Sequence, residues 1–279
     1  MCALIVEQYF AAGVCISPFL QDYIDAPMGQ VIAIANQKGG VGKTTTAINL
    51  GACMAAAGRR ALLIDMDPQG NATSGVGIDR NSIEHSVYEA LMGEVPLDEV
   101  ILSTSVDRLD IAPSTRDLVG AELELVDADE REFRLRAALE PLRGVYGHIF
   151  IDCPPSLNLL TVNALTAADG VLVTLQCEYY ALEGLSELLQ TVSRVQEVLN
   201  PKLELQGVLL TMFQHTNLSS QVIEDVREHL GEKVYQTIIP RNITLAEAPS
   251  FGQPVIFYDL RSAGAKAYLA LAREVVSRG

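Results

Sequence analysis

Short apolar runs alternate along this chain with longer stretches in which apolar residues recur at helical spacing. The clearest runs are residues 31–35, 60–65 and 149–152, and the last two end in acidic residues. Over residues 182–199, leucine and valine recur every three or four positions, which predicts one amphipathic helix with a core-packing face. This alternation predicts an α/β fold with a mostly parallel, twisted sheet flanked by helices on both faces.

The chain has 279 residues, enough for one α/β domain or two smaller ones. Because no Gly/Ser-rich linker or low-complexity block divides it, we expect a single three-layer domain over residues 28–279. Residues 1–27 contain no Lys or Arg, which argues against a signal peptide, and polar residues interrupt their apolar stretch, which argues against a transmembrane span. They are either a poorly ordered extension or the product of a mis-assigned start, with the native chain beginning at Met28.

A glycine-rich loop follows the first apolar run and precedes a helix that we expect to start near Ala47. Such a loop turns successive backbone N–H groups toward one anion, and the helix N-terminus adds its dipole. Lys43 would supply charge to the β- and γ-phosphates, and the Thr44 hydroxyl would ligate Mg²⁺. The loop therefore predicts a nucleotide-phosphate site. Its residues are Gly39, Gly40, Val41, Gly42, Lys43, Thr44 and Thr45.

Acidic residues follow the second and third apolar runs. In open parallel sheets, ligands bind at the carboxyl ends of the strands, so Asp67 and Asp152 should lie near the glycine-rich loop. An acid there can hold Mg²⁺, directly or through water, or can orient an attacking water. The alternative is that such acids only cap the helix that follows, which we expect of Asp65.

One departure from the standard phosphate-binding loop carries a family resemblance. Gln37 stands where the standard pattern has glycine, and Lys38 opens the sequence Lys-Gly-Gly-Val-Gly-Lys-Thr-Thr. This sequence resembles the deviant Walker A family of P-loop ATPases, which includes the ParA/Soj partition proteins, MinD and the nitrogenase iron protein. The resemblance implies that Lys38 reaches across a dimer interface to the partner's nucleotide, so that the active form is an ATP-dependent homodimer.

Within this family the chain resembles the ParA/Soj chromosome-partition proteins from about Met28 to the C-terminus. Several matching segments occur in the same order along the chain. They are residues 36–46, 67–75, 152–156, 176–185, 239–242 and 247–250. In the fifth segment, Pro240, Arg241 and Asn242 match the loop that contacts the nucleotide base.

The resemblance also implies the activity and the roles of single residues. It implies an ATPase that requires Mg²⁺ and converts ATP and water to ADP and phosphate. Lys38, Lys43 and Asp67 are implied to be catalytic, with Asp67 positioning or activating the water. Thr44, Asp67 and Asp152 are implied to lie at the Mg²⁺ ion.

The partners implied by the resemblance are proteins and DNA. A ParB/Spo0J-type protein with a basic N-terminal tail would stimulate hydrolysis, and an acidic ATPase suits such a tail. The ATP-bound dimer would bind non-specific double-stranded DNA, so we expect a cytoplasmic protein that associates with the nucleoid if DNA binding is retained. We expect no membrane binding, because the C-terminal helix lacks a dense basic face.

The charge pattern qualifies the DNA prediction. The net charge of −15 repels DNA at long range, although residues 201–279 contain eight acidic and eight basic residues. His215 and Thr244 stand where close relatives carry arginines of the DNA-binding surface. We therefore expect DNA affinity to be weakened or to depend on other basic residues. The candidates are Lys202, Arg227, Lys233, Arg261 and Lys266.

Rival functions remain open at this stage. The same cycle could position another cargo, such as an organelle or a protein cluster, with weak or altered DNA binding. A metabolic P-loop enzyme would couple ATP to small-molecule chemistry. An iron protein would need cysteines for a shared cluster, and the five cysteines here show no such pattern; we expect Cys53 and Cys177 to be small core residues.

Overall fold

The computed structural model describes residues 29–178 and 181–278. Within them, eight strands form one sheet in the order β3-β4-β2-β5-β1-β6-β7-β8. All neighbouring strands are parallel except β3 and β4, which confirms the predicted mostly parallel sheet. The strands are β1 (Gln30–Ala35), β2 (Ala61–Asp65), β3 (Leu102–Ser103), β4 (Leu109–Ala112), β5 (His148–Asp152), β6 (Gly170–Gln176), β7 (Glu204–Phe213) and β8 (Val234–Pro240).

Helices cover the two faces of the sheet. They are α1 (Lys43–Ala56), α2 (Asn71–Gly75), α3 (Val87–Met92), α4 (Leu97–Val100), α5 (Leu118–Glu124), α6 (Arg134–Leu139), α7 (Leu159–Ala167), α8 (Ala181–Val198), α9 (Asn217–Leu230), α10 (Ile243–Glu247), α11 (Val255–Tyr258) and α12 (Ala263–Arg278). The predicted helix over residues 182–199 is confirmed as α8. The helix expected near Ala47 begins four residues earlier, so Lys43 and Thr44 lie in its first turn.

Two hydrophobic clusters, one on each face of the sheet, form the core. Along β1, Val31 and Ala33 belong to one cluster, and Ile32 and Ile34 belong to the other. A parallel sheet that is buried on both faces has near-continuous apolar strands, which is why the strands were visible in the sequence. Three layers follow from this arrangement, as predicted.

The C-terminal helix α12 packs against the core. Tyr268, Ala272 and Val275 are buried, and the Tyr268 hydroxyl lies 3.1 Å from the Thr46 hydroxyl on α1. Cys53 and Cys177 are also buried, as expected of small core residues. Within the described ranges, no helix is both long enough and apolar enough to cross a bilayer.

The strand register brings distant acids to one edge of the sheet. In the pairing of β2 with β5, Asp65 lies directly beside Asp152, and in the pairing of β1 with β5, Ile34 lies beside Asp152. The glycine-rich loop leaves the same end of β1. The predicted phosphate loop and the predicted acids therefore lie together at the carboxyl edge of the sheet. Residues 1–27, for which the sequence left two interpretations, lie outside the described residues.

Candidate functional site

The glycine-rich loop leaves the first turn of α1 without a side-chain cap. Gly42 is the N-cap residue, with a φ of 89°, and Gly40 has a φ of 73°. Both angles are in the left-handed region that favours glycine. Because no side chain caps the helix, first-turn N–H groups remain available to an anion at the positive end of the helix dipole.

Lys43 is buried at the start of α1 and its ammonium lies inside the loop. Its Nζ donates to the backbone oxygen of Lys38 at 3.1 Å. Burial lowers the pKa of Lys43, while the negative charges of Asp152 and Asp67 act in the opposite direction. A buried ammonium whose one hydrogen-bond partner among the described residues is a backbone oxygen is suited to an incoming anion.

Asp65 has its hydrogen bonds satisfied within the chain. Its Oδ2 accepts from the Thr73 backbone N–H at 2.8 Å and from the Thr73 hydroxyl at 2.7 Å. Its Oδ1 accepts from the Asp67 backbone N–H at 3.2 Å. Burial is the main cause that raises the pKa of Asp65 to about 6. Asp65 therefore anchors the first turn of α2 through Thr73, although the N-cap residue of that helix is Gly70 and not Asp65.

Asp152 is buried, and neither of its carboxylate oxygens has a hydrogen-bond partner of normal geometry among the described residues. Burial and then Asp65 raise the pKa of Asp152 well above its usual range, while Thr44 and Lys43 act to lower it. Asp67 is also buried nearby, and its Oδ1 accepts from the Gln69 backbone N–H at 2.9 Å. An unsatisfied buried carboxylate is costly, and a hard cation would relieve that cost.

The candidate metal ligands suit Mg²⁺ better than a metal ion that is coordinated by protein side chains alone. In the described part of the chain, no group of three His, Cys, Asp or Glu side chains is arranged to hold a metal ion. Mg²⁺ usually keeps several waters and binds through one or two protein ligands together with substrate phosphates. Thr44, Asp67 and Asp152, which lie beside the predicted phosphate loop, are ligands of the kind that this coordination requires.

Two adjoining cavities lie at this edge. The first has a volume of about 580 Å³ and is lined by the loop and Thr44, by Asp67, and by Pro249 and Ser250. The second, of about 320 Å³, is mostly apolar and is lined by Pro240, Arg241 and Asn242 among others. Gly42, Thr45 and Met212 border both cavities. A polar cleft that opens into an apolar pocket suits a molecule with phosphates at one end and a flat ring at the other.

The three residues predicted to contact the base line the apolar pocket at the end of β8. Pro240 ends β8, and the Arg241 backbone N–H donates to the Phe213 oxygen at 3.0 Å. The Asn242 Oδ1 is buried without a hydrogen-bond partner among the described residues. An unpartnered acceptor beside an apolar pocket can receive an N–H group from a ring system.

Lys38 is not among the residues that line the phosphate cleft. Its side chain is about half exposed, and its Nζ forms an ion pair with Glu178 Oε2 at 2.7 Å. The Asn36 Oδ1 accepts from the Lys38 backbone N–H at 2.9 Å, which fixes the start of the loop. The side chain is therefore accessible to a second molecule.

Several cleft residues had no assigned role in the sequence. Met212 has a φ of 53°, which is uncommon for a residue other than glycine, and such backbone often marks ligand sites. The Thr211 hydroxyl donates to the Val41 backbone oxygen at 2.9 Å and ties β7 to the loop. No local pattern marks these two residues. Pro249 and Ser250 belong to a segment of the resemblance, which was the available signal.

The candidate DNA residues are dispersed. His215 is exposed and lines a cavity of about 540 Å³ with Arg241, while Thr244 is half-buried in α10. Lys202 and Lys233 share a groove at the amino ends of the strands, but Glu204 and Glu232 line it too. Arg227, Arg261 and Lys266 are not among the residues that line this groove.

Comparisons with known proteins show the family to which the sequence is similar. Residues 29–205 match the family described as AAA domain (AAA_31). The chromosome partitioning protein ParA of Myxococcus xanthus is 56% identical over 254 residues, covering 91% of this chain and 90% of that protein. The sporulation initiation inhibitor protein Soj of Bacillus subtilis is 57% identical over 253 residues, covering 90% of this chain and all of Soj.

Solved structures give the same fold. Cobyrinic acid a,c-diamide synthase from Mycobacterium smegmatis, with bound ADP and magnesium, has a TM-score of 0.78 and 40% identity, covering 88% of this chain and 93% of that chain. Apo McdA from Cyanothece has a TM-score of 0.81 and 22% identity, covering 88% of this chain and 99% of that chain, which is a likeness of fold alone.

Proposed function

The chain belongs to the ParA/Soj family of P-loop ATPases, and from this we propose that it is an ATP-dependent dimerising switch for chromosome or plasmid segregation. The observation that carries the proposal is that the uncapped loop, Lys43 and the buried Asp67 line one cleft, with the buried Asp152 beside Thr44 and Lys43. ATP binding closes two subunits into a homodimer, and the dimer binds non-specific double-stranded DNA. ATP hydrolysis then releases the protein from the DNA.

ATP binds with its phosphates in the polar cleft and its base in the apolar pocket. The first-turn N–H groups of α1 and the Lys43 ammonium hold the phosphates, because both are positive groups to which no side chain of the described residues is hydrogen-bonded. Pro240, Arg241 and Asn242 contact the base. The 40% identical relative with ADP and magnesium supports the choice of ligand.

Mg²⁺, when bound, neutralises charge on the phosphates. Thr44 and Asp152 would hold it, and Asp67 lies close enough in the cleft to share that role. Asp67 orients the attacking water as its second role, since its carboxylate lines the cleft while the Gln69 backbone N–H fixes it. Lys38 acts on the nucleotide of the partner subunit, which its exposed side chain supports.

A ParB/Spo0J-type protein is the proposed regulator, and its basic tail suits a chain of net charge −15. Slow hydrolysis alone and faster hydrolysis with this partner would make the chemistry a timer for the switch. The same cycle with another cargo is the alternative, favoured by the replacement of two family arginines by His215 and Thr244.

A metabolic function is a second candidate because a diamide synthase is 40% identical to this chain. The partition proteins reported above are 56% and 57% identical over a similar share of the chain. A metabolic enzyme would turn over a small substrate without DNA or a protein partner, which separates the two functions in one assay.

The test is binding of the protein to a non-specific DNA duplex with ATP, with ADP and without nucleotide, each at two salt concentrations. The proposal expects binding only with ATP, with affinity that falls steeply as salt rises. If ATP drives dimerisation but DNA does not bind at low salt, the segregation function is wrong and the cargo alternative replaces it.

A further inference from the structure

Helix α5 and the 3₁₀ turn that follows it (Leu125–Asp127) present an apolar stripe to solvent. The stripe consists of Val119, Leu123 and Val126, which are 60%, 77% and 51% exposed. Spacings of four and three residues place these side chains on one side of the segment. Leu118 and Leu125, on the other side, are buried, so the stripe is not needed for the core.

The stripe lies in an acidic segment. Residues 117–130 contain six acidic residues and no Lys or Arg. Three of the acids have side-chain partners within the chain. Glu122 accepts from the Asn158 amide, Glu124 accepts from the Tyr88 hydroxyl at 2.7 Å, and Asp117 accepts from the Thr115 hydroxyl at 3.2 Å. The acids are Asp117, Glu122, Glu124, Asp127, Asp129 and Glu130. A complementary surface would offer apolar side chains at helical spacing, flanked by Lys or Arg.

We propose that this stripe is the docking site for a basic amphipathic segment of a partner protein. The inference rests on the proposed function only for the identity of the partner, which would be the ParB/Spo0J-type protein. The chain's own residues 1–27 suit the stripe less well, because they contain three acidic residues and no basic one. A second copy of the chain would bring two acidic segments together, which is repulsive.

The stripe is connected to the nucleotide cleft through one side-chain contact. Glu122 on α5 binds the Asn158 amide, and Asn158 is the N-cap of α7, where its Oδ1 accepts from the Thr161 N–H at 3.3 Å. Residues 153–157 join this cap to Asp152, and Pro155 among them lines the cleft. A segment docked on α5 therefore acts next to the loop that carries Asp152.

The first experiment measures binding of a labelled peptide, the N-terminal segment of the ParB-type protein from the same organism, to the full chain with ATP. The double variant Val119→Ser/Leu123→Ser should raise the Kd at least about tenfold and remove stimulation of hydrolysis by the peptide. Val198→Ser is the matched control, because Val198 is 76% exposed on α8, outside the stripe. The control should bind as wild type does.

Hydrogen exchange on the wild-type chain gives a test that needs no variant. Peptide binding should slow exchange of the α5 and Leu125–Asp127 amides more than that of α8. Protection confined to another surface, wild-type affinity of the double variant, or no binding to wild type would each overturn the proposal. A further contradicting result would be faster exchange of the α5 amides, without peptide, after deletion of residues 1–27. That result would mean that residues 1–27 of the intact chain cover the stripe.

Basal ATP hydrolysis separates this inference from the proposed function. A wild-type chain that neither hydrolyses ATP nor dimerises with it would refute the proposed switch. A chain that hydrolyses ATP and is stimulated equally with and without the stripe would refute only the docking site.

Discussion

The amino and carboxyl edges of the sheet differ in whether their carboxylates are hydrogen-bonded within the chain. At the amino edge, Arg143 Nη1 donates to both oxygens of Asp169 at 2.9 and 2.8 Å, and the same carboxylate accepts from the Val31 N–H at 2.8 Å. At the carboxyl edge, Asp152 is buried, and its carboxylate oxygens have no hydrogen-bond partner of normal geometry among the described residues. The first arrangement completes itself and holds the scaffold, whereas the second needs a ligand to complete it.

The largest effect should come from the charge at the incomplete edge. Lys43→Ala should weaken ATP binding by about 4 kcal/mol, roughly a thousandfold in Kd, because it removes a buried positive group from the phosphates. Calorimetric titration with ATP measures this. Lys38→Ala is the matched control, since Lys38 lies outside the cleft lining, and it should keep ATP affinity while losing the ATP-dependent dimer. Wild-type affinity of Lys43→Ala would remove the loop from its role.

His148 is an exception at the amino edge that pH can expose. It is buried, neither ring nitrogen has a partner among the described residues, and burial lowers its pKa to about 4, with Arg59 adding to the effect. Between pH 6.5 and 4, His148 is therefore protonated in the unfolded chain but neutral in the folded chain. Wild type should therefore lose roughly 3 kcal/mol of unfolding free energy on acidification through this window.

The comparison with His148→Leu isolates that contribution from other titrating groups. The unfolding free energy of the variant, relative to wild type, should rise as the pH falls from 6.5 to 4. Denaturant titrations at several pH values measure it. Parallel curves for the two proteins would show that His148 takes up a proton equally well when folded.

Asp67→Ala tests the second acid of the incomplete edge. Hydrolysis should fall at least about a hundredfold, since the residue that orients the water is lost, while ATP still binds and holds the dimer. Phosphate release and size-exclusion chromatography with ATP measure the two effects. A monomeric variant with normal turnover would mean that another residue positions the water.

Asp169→Ala probes the edge that completes itself and should have the smallest effect. Losing the Arg143 pair and the Val31 hydrogen bond should cost about 1–2 kcal/mol of unfolding free energy, reduced by the partial exposure of the carboxylate. ATP affinity should not change. Glu140→Ala is the control, because Glu140 is exposed and lies 3.6 Å from Arg143. A loss of ATP affinity in Asp169→Ala would join the two edges in function.

Local patterns predicted the parts of the fold that depend on neighbours in sequence. The strands were predictable because both of their faces are buried, and the phosphate loop because its glycines and Lys43 are contiguous. The start of α1 was placed too late, since a polar Lys-Thr-Thr run is part of the helix but resembles a loop. The short strand β3 and the helices between β2 and β5 carry too little periodicity to be predicted.

The far wall of the cleft could not be derived from spacing. Met212 borders Gly42 although about 170 residues separate them along the chain, so only the paired sheet brings them together. The apolar stripe on α5 was also missed, because an exposed leucine in a short helix has the same sequence pattern as a buried one. The acidic character of that region was visible, but its apolar face was not.

The position of β1 in the sheet has a consequence for synthesis of the chain. Gln30 at its start pairs with His148, and Ile32 pairs with Gly170 on its other side. At roughly 5–20 residues per second, the ribosome needs on the order of 10 s to deliver these partners. During that interval the apolar strand β1 lacks both of its sheet neighbours, so we expect its backbone and apolar side chains to stay unpaired until β5 and β6 emerge.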